Sequence, residues 1–279
     1  MVTTRKATPE TIRPMQLEYF QGFVAPLDAY WQEGLIGAAE PWEILIDGQR
    51  AGYFVSNAEH QLLQFHLGGP SQSLPDLPQQ ASKIFRRVLE LHGVQSAFAA
   101  TIEPFYFGLC LDHQTRAEVH TLLFTDHRRH TPTHRDYEAS NFRPATADDV
   151  KRVVPLFAGG DEFVDDATVQ ANFGGFLEYA ESVIEGKILH VLEKDGEIIG
   201  TGELRERKDW PPHADVGMIV SPRHRRCGVG TYILSLLKAE AYARDLVPIC
   251  SCEAANVGSR KAVENAGFSA LHRVVHFTF

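Results

Sequence analysis

The sequence predicts an α/β protein built as two similarly ordered halves, each a mixed, mostly antiparallel, twisted sheet flanked by helices. Three observations lead there. A D-G-x-x-x-G pattern between apolar runs occurs twice, at Asp47, Gly48 and Gly52 in WEILIDGQRAGYFV and at Asp195, Gly196 and Gly200 in ILHVLEKDGEIIGTGEL, 148 residues later. Each occurrence is followed by the same order of elements. The two series are separated by TDHRRHTPTHRDYEASN, a polar and charged stretch with the composition of a linker.

Both D-G patterns read as β-hairpins, because Asp-Gly supplies the two left-handed residues that a tight two-residue turn needs. After the first come an apolar strand (Leu62–Leu67), a helix (Ala81–His92), a strand (Gln95–Ile102) and a closing strand (Glu118–Thr125). After the second come Asp215–Val220, Gly228–Arg244, Val247–Glu253 and Leu271–Phe279. Strands alternating with helices call for a sheet covered by helices. The expected domains are 1–138 and 139–279. The second opens with FRPATADDVKRVVPLF, where Thr146 and Asp149 suit a capping box and Val150, Val153, Val154 and Phe157 share one helical face. In Gly228–Arg244, the stripe Ile233, Leu236, Leu237 and Ala241 is expected to face the sheet, with Lys238, Glu240 and Arg244 pointing outward.

Composition narrows the function classes. The chain has 279 residues and 31.2 kDa, is 44% hydrophobic and 23% charged, and so has enough apolar surface to fold. Lys+Arg 27 against Asp+Glu 36 leaves a net charge of −9 and a pI near 5.8. That sign disfavours nucleic acid or an anionic membrane as a partner held by the overall field. Four cysteines, Cys110, Cys227, Cys250 and Cys252, suit a reducing compartment. The first twenty residues lack the apolar core of a signal peptide, and no apolar run approaches the ~20 residues of a membrane span. A soluble, cytoplasmic protein is expected, either monomer or homodimer.

The most specific segment is Gly217–Thr231, GMIVSPRHRRCGVGT: an apolar strand, a Ser-Pro break, three arginines in four positions, then Gly-x-Gly opening a helix. This is the chemistry of an anion cradle. Gly228 and Gly230 remove Cβ atoms so that backbone approaches a ligand closely, and the first N–H groups of the helix have no intrahelical acceptors. Arg225 and Arg226 add charge. Neither G-x-G-x-x-G nor G-x-x-x-x-G-K-[ST] occurs, so the dinucleotide and nucleoside-triphosphate fingerprints are not met.

Read as Met218-x-Val220-x-Pro222-x-x-Arg225-x-x-Gly228-x-Gly230, the segment resembles the acyl-CoA signature of the GNAT superfamily of N-acyltransferases, R/Q-x-x-G-x-G/A after an apolar strand. The resemblance continues through Asn256 in CEAANVGSRKAVENAGF to Gly267-Phe268, and covers residues 140–279. It implies two GNAT-like domains, the first a degenerate copy, since GGPSQSLPDLPQQ stands where arginines and glycines would follow Leu67. It implies acetyl-CoA as cosubstrate, no metal, and transfer of the acetyl group to a primary amine of a small molecule or peptide by direct attack in a ternary complex. A non-catalytic acyl-CoA-binding regulatory module is the alternative. By position, the main chain of Met218, Ile219 and Val220 would pair with the pantetheine arm, and Asn256 would hydrogen-bond it from the far side. The loop and helix start at Arg225, Arg226, Cys227, Gly228, Val229, Gly230 and Thr231 would hold the diphosphate.

Catalytic candidates are fewer. Glu203, after the Gly200 turn, and Asp215, at the start of the next strand, are the carboxylates placed to take the amine proton. The family's tyrosine, seven residues after the asparagine, is replaced by Val263, so that either Ser259 or a water protonates the departing thiolate or the thiolate leaves unprotonated. Asn256 also reads as a helix N-cap before Val257–Ala266. His127, His130 and His134 read as part of a solvated basic linker rather than a metal site, Cys250 and Cys252 as packing residues, and Cys227 as loop.

Overall fold

The computed structural model describes residues 1–68, 77–126, 137, 140–159 and 174–279. In chain order the elements are β1 (Val2–Lys6), α1 (Pro9–Gln21), a π-helical turn (Tyr30–Ile36), β2 (Glu40–Ile46), β3 (Gln49–Ser56), β4 (Gln61–Leu67), α2 (Leu77–His92), β5 (Ser96–Ala100), α3 (Pro104–His113) and β6 (Arg116–Asp126). They continue with β7 (Asn141–Pro144), α4 (Val150–Phe157), α5 (Gly174–Glu185), β8 (Leu189–Lys194), β9 (Glu197–Glu206), β10 (His213–Val220), α6 (Val229–Ala243), β11 (Val247–Glu253), α7 (Val257–Asn265) and β12 (Phe268–Thr278). Two compact units result: Met1–Leu123 with His272–Phe279, and Phe124–Leu271. The boundary expected at 138/139 falls mostly outside the described residues. The division lies earlier, and the last strand crosses it, because Val274–Thr278 pair antiparallel with Ser96–Ala100 of β5.

In the first unit the strands run β1-β2-β3-β4-β5 and then β12, with only β4 and β5 parallel among the pairs from β1 to β5. Alternation along the strands sorts the core into two layers. Phe54 and Phe65 pack under α2 with Ile84, Phe85 and Val88, while Tyr53, Val55 and Leu63 pack on the other side with Ile12, Met15 and Trp31. In the second unit the order is β11-β10-β9-β8-β7, with β10 and β11 parallel and the other pairs antiparallel.

The repeat is visible in the backbone. Asp47 and Gly48 (φ 49° and 80°) and Asp195 and Gly196 (φ 52° and 81°) form left-handed two-residue turns. Each hairpin also carries a register shift at the same place, between Ile44 and Leu45 and between Leu192 and Glu193. Gly200 is therefore not in the turn but well inside β9, which corrects the sequence reading.

Helix α6 shows one further correction. Lys238 does not point outward: it is fully buried, its Nζ 2.9 Å from Asp126 Oδ1 and donating to the Ala266 carbonyl at 3.1 Å. Tyr242 donates its hydroxyl to the other oxygen of Asp126 at 2.5 Å. The end of β6 thus supplies a countercharge beneath the helix, which allows a lysine to occupy a core position. Glu240 and Arg244 do reach solvent and pair with each other.

At the entrance to the second unit, the capping box at Thr146 and Asp149 forms as its spacing requires, ahead of α4. Asp149 is buried and receives Arg143 through two bonds, at 2.6 and 2.9 Å, and Arg152 at 3.1 Å. The Arg143 hydrogen bonds hold the Asp149 carboxyl far below the usual carboxylate range against the opposing pull of burial. A depressed carboxylate stabilises the fold fully above its unfolded pKa of about 3.9 and loses that contribution as pH falls toward the folded value. Asp149→Asn is accordingly expected to cost about 2–3 kcal/mol at neutral pH. In thermal melts followed by circular dichroism, the gap between the two proteins stays constant above about pH 5 and narrows below about pH 4.

Candidate functional site

Glycine placement in the second unit brings a helix start against a sheet opening. Strand β10 is hydrogen-bonded to β9 along its length, to the Val220–Gly200 pair, but its parallel pairing with β11 stops at Asp215–Ile249. Past that point the two strands part. Helix α6 lies on β9 where side chains are missing: a Cβ on Gly200 would stand 2.7 Å from Ile233 Cδ1, and one on Gly202 2.8 Å from Ile233 Cγ2. Gly228, at φ 86°, is the N-cap of α6 and, as glycine, offers no side chain to cap the helix. Gly230 lets the first turn approach β10 and α7, since a Cβ there would lie 3.2 Å from Met218 Sδ and 3.4 Å from Ala262 Cβ.

The result is a cleft of about 810 Å³. Of the residues expected to hold the cofactor, Met218, Ile219, Val220, Arg225, Arg226, Gly228, Val229, Gly230, Thr231 and Asn256 line it, as does Ser259. His224, Gly258, Lys261, Ala262 and Asn265 complete the wall. Among the described residues no carboxylate lines it, whereas Arg225, Arg226 and Lys261 do and are exposed. In a chain of net charge −9, this is a locally cationic surface at the positive end of a fifteen-residue helix.

Several contacts fix the walls. Arg225 Nε donates to the Val220 carbonyl at 3.2 Å, which ties the loop to the end of β10. Thr231 donates its hydroxyl to the Ala262 carbonyl at 3.3 Å, joining α6 to α7. Asn256 caps α7 by accepting the Ser259 N–H at 3.0 Å. Cys227 departs from the expected set: it does not line the cleft, and its carbonyl accepts the Tyr137 hydroxyl at 2.6 Å. The Tyr137 ring is buried and stacks on Tyr232 at 5.3 Å.

The two carboxylate candidates lie on a different face. Glu203 is opposite Gly217 in the β9–β10 register, whereas Gly202 is opposite Met218, so Glu203 points away from α6 and toward α5. There Tyr179 of α5 donates its hydroxyl to the carboxylate, lying 2.9 and 2.8 Å from its two oxygens. Burial and then the neighbouring Glu203 charge push the Tyr179 phenol up, so it remains a donor. Beside Glu203, a Cβ on Gly217 would meet nothing within 4 Å. Asp215 shares that face but is engaged by the buried Arg207, Nη1 to Oδ2 at 3.1 Å. Neither carboxylate lines the cleft itself.

Val263 is 3% exposed and packs inward rather than into the cleft. All four cysteines are free thiols. Burial raises the Cys252 thiol, and Cys250 is buried, in keeping with packing. His127, His130 and His134 lie outside the described residues, among which no cluster of His, Cys, Asp and Glu could hold a metal ion and no helix is long and apolar enough to cross a membrane. Sequence reasoning missed Lys261, His224, Tyr137 and Tyr179. Lys261 was readable in principle, because an N-cap at Asn256 puts positions 258, 261, 262 and 265 on one helical face.

Residues 8–127 match the acetyltransferase (GNAT) domain, and residues 161–268 match the acetyltransferase (GNAT) family. The chain belongs to the GNAT acetyltransferase family and carries two of its domains in tandem. It is similar to the acetyltransferase from the GNAT family of Colwellia psychrerythraea, at 25% identity and a TM-score of 0.85, over 100% of this chain and 99% of that one. A GCN5-related N-acetyltransferase from Sphaerobacter thermophilus (15% identity, TM-score 0.61, 99% and 94% covered) shares the fold. So does a tandem GNAT protein from the clavulanic acid biosynthesis pathway (12% identity, TM-score 0.61, 100% and 98% covered). No curated protein matches the chain.

Tyr137 holds the loop that leads into α6 through a part-buried hydrogen bond to the Cys227 carbonyl. Tyr137→Phe is expected to lower stability by about 1 kcal/mol. It should also speed hydrogen exchange at residues 226–231 relative to the rest of α6, read by mass spectrometry; unchanged protection there would contradict the role.

Proposed function

We propose that the second unit transfers an acetyl group from acetyl-CoA to a primary amine by direct attack in a ternary complex. The observation that carries this reading is the parting of β10 from β11 beside a helix start with no side-chain cap. That geometry fits the cosubstrate: free helical N–H groups and three cationic side chains for a diphosphate, then an unpaired strand edge for an amide-bearing arm. In this assignment Arg225, Arg226, Gly228, Val229, Gly230 and Thr231 hold the diphosphate, with Lys261 added from α7, and Cys227 takes no part. Met218, Ile219 and Val220 offer main-chain groups to the arm, and Asn256 faces them across the cleft.

Acetyl-CoA supplies the thioester carbonyl. The chain's task is to deliver a neutral amine to it. An amine with a pKa near ~10.4 is protonated at pH 7, and making it neutral costs about 4–5 kcal/mol at ~1.36 kcal/mol per unit. A carboxylate on the acceptor side lowers that barrier. We assign this to Glu203, directly or through a water, because it stands beside the open ground at Gly217 while Asp215 is engaged by Arg207. Tyr179 orients the Glu203 carboxylate. We assign protonation of the departing thiolate, in place of the missing tyrosine, to Ser259, a reading supported by its position on the cleft wall.

Glu203→Gln is expected to lower kcat about a hundredfold while leaving the acetyl-CoA dissociation constant unchanged. Arg226→Ala and Lys261→Ala should instead weaken acetyl-CoA binding about tenfold each, with an effect that shrinks in high salt. Thiol release across a panel of amines, together with calorimetry, checks both. Tight acetyl-CoA binding with no turnover on any amine would favour a regulatory binding module, and no binding would end both readings.

A further inference from the structure

The first unit contains a cavity where its two parallel strands part, on the side of the sheet that α1 covers. Strands β4 and β5 pair only at Gln61–Ser96 and Leu62–Ala97, and then separate. Between the end of β4 (His66, Leu67) and the start of α3 (Glu103, Pro104, Phe105), under the last turn of α1, lies a space of about 230 Å³. That is smaller than the roughly 300–1,000 Å³ of drug-sized sites and suits only a compact molecule. No arginine or lysine lines it among the described residues.

Its polar groups have a common character. Glu103 is 7% exposed, and one carboxyl oxygen accepts the Ala100 N–H at 2.7 Å. Its other oxygen, Oε2, is buried and has no hydrogen-bond partner among the described residues. His66 Nε2 is likewise buried without one and lies 3.7 Å from Glu18 Oε2, too far for a hydrogen bond. Gly68 keeps the ground beside it open, since a Cβ there would stand 2.7 Å from that nitrogen. A buried polar atom left without a partner costs about 1–3 kcal/mol, so two on one small cavity call for an explanation that packing does not give. Burial pushes the Glu103 carboxyl well above the usual carboxylate range and lowers His66, so burial disfavours the charged form of each. What the cavity can offer a guest is therefore two carboxyl groups, a ring nitrogen lone pair, and the aromatic rings of Tyr19, Phe23 and Phe105. All of these suit a cationic donor of hydrogen bonds.

We propose that this cavity binds a small organic ammonium ion, its N–H groups donating to Glu103, Glu18 and His66 and its apolar body resting against Tyr19, Phe23 and Phe105. The site is separate from acetyl transfer and does not depend on it. Binding shifts Glu103 to its carboxylate, so one proton leaves the carboxyl for the buffer as the ammonium enters. Glu18 and Tyr19 of α1, His66 of β4, and Tyr106 and Cys110 of α3 are the titratable groups facing Glu103. None is cationic at neutral pH, and Glu103 is the one whose charge changes on binding. Affinity should therefore rise with pH until the amine itself loses its proton.

The test is calorimetry on the full chain with benzylammonium chloride, run in buffers of different ionisation enthalpy, with benzyl alcohol as the neutral isostere. The expected result is saturable binding with release of one proton, and no detectable binding of the alcohol. Glu103→Gln should remove the proton release and weaken binding about tenfold or more; Glu18→Gln, at a half-buried position, should weaken it by a smaller factor while keeping the proton release. The His66 ring resonances should shift with the same midpoint as the heat. Binding that neither variant alters, or that leaves His66 unmoved, would place the amine elsewhere in the chain and overturn the proposal. So would equal binding of the alcohol, or no binding at the solubility limit. Acetyl-CoA affinity is unchanged in both variants, which separates failure here from failure of the transferase reading.

Discussion

Hydrogen bonding between β10 and β11 ends at the Asp215–Ile249 pair, and the site in the second unit depends on that interruption. A continuous parallel pair would leave no free strand edge and no space beneath the first turn of α6. The break persists because the helix is held down elsewhere, on the bare backbone of Gly200 and Gly202 and by Lys238 clasping Asp126 below. Close packing of the helix on β9 allows its first turn to stand over the opening beside β10.

The same device, two parallel strands that part, occurs in the first unit between β4 and β5. What differs is what the chain places around it. In the second unit the surroundings are arginine, lysine and left-handed glycine; in the first they are carboxyl groups, a histidine and aromatic rings. One architecture thus presents opposite electrostatic faces, and the chemistry each can host follows from side chains rather than topology.

Much of this was legible where the physics is local. Asp-Gly at 47–48 and 195–196 announces its turns because few other dipeptides take both conformations. Thr146 and Asp149 announce a helix start, and Gly228 and Gly230 announce the helix start that lines the cleft. The losses came where a residue's meaning depends on a distant partner. Lys238 looks like a surface lysine until Asp126 is seen beneath it, and Asp215 looks as available as Glu203 until Arg207 is found beside it. Tyr137 sits in a polar stretch that gives no hint of a buried ring. Helix α1 escaped notice because PETIRPMQLEYFQ carries two prolines, one at its first position, where it is well tolerated, and one inside. Register, which decides that Glu203 and not Gly202 faces Tyr179, has no sequence signature at single-residue precision.

The closing strand carries a lesson about the order in which the molecule can be made. Since Arg273 donates its amide to the Thr101 hydroxyl across 172 residues of chain, the first unit lacks one strand until Val274–Thr278 have emerged from the ribosome. The portion synthesised first is thus completed last, and its exposed β5 edge must wait through translation of everything between. Nascent chains halted before His272 would present an open sheet margin, a natural point for chaperone capture, while the segment carrying α6 and the cleft is already in hand.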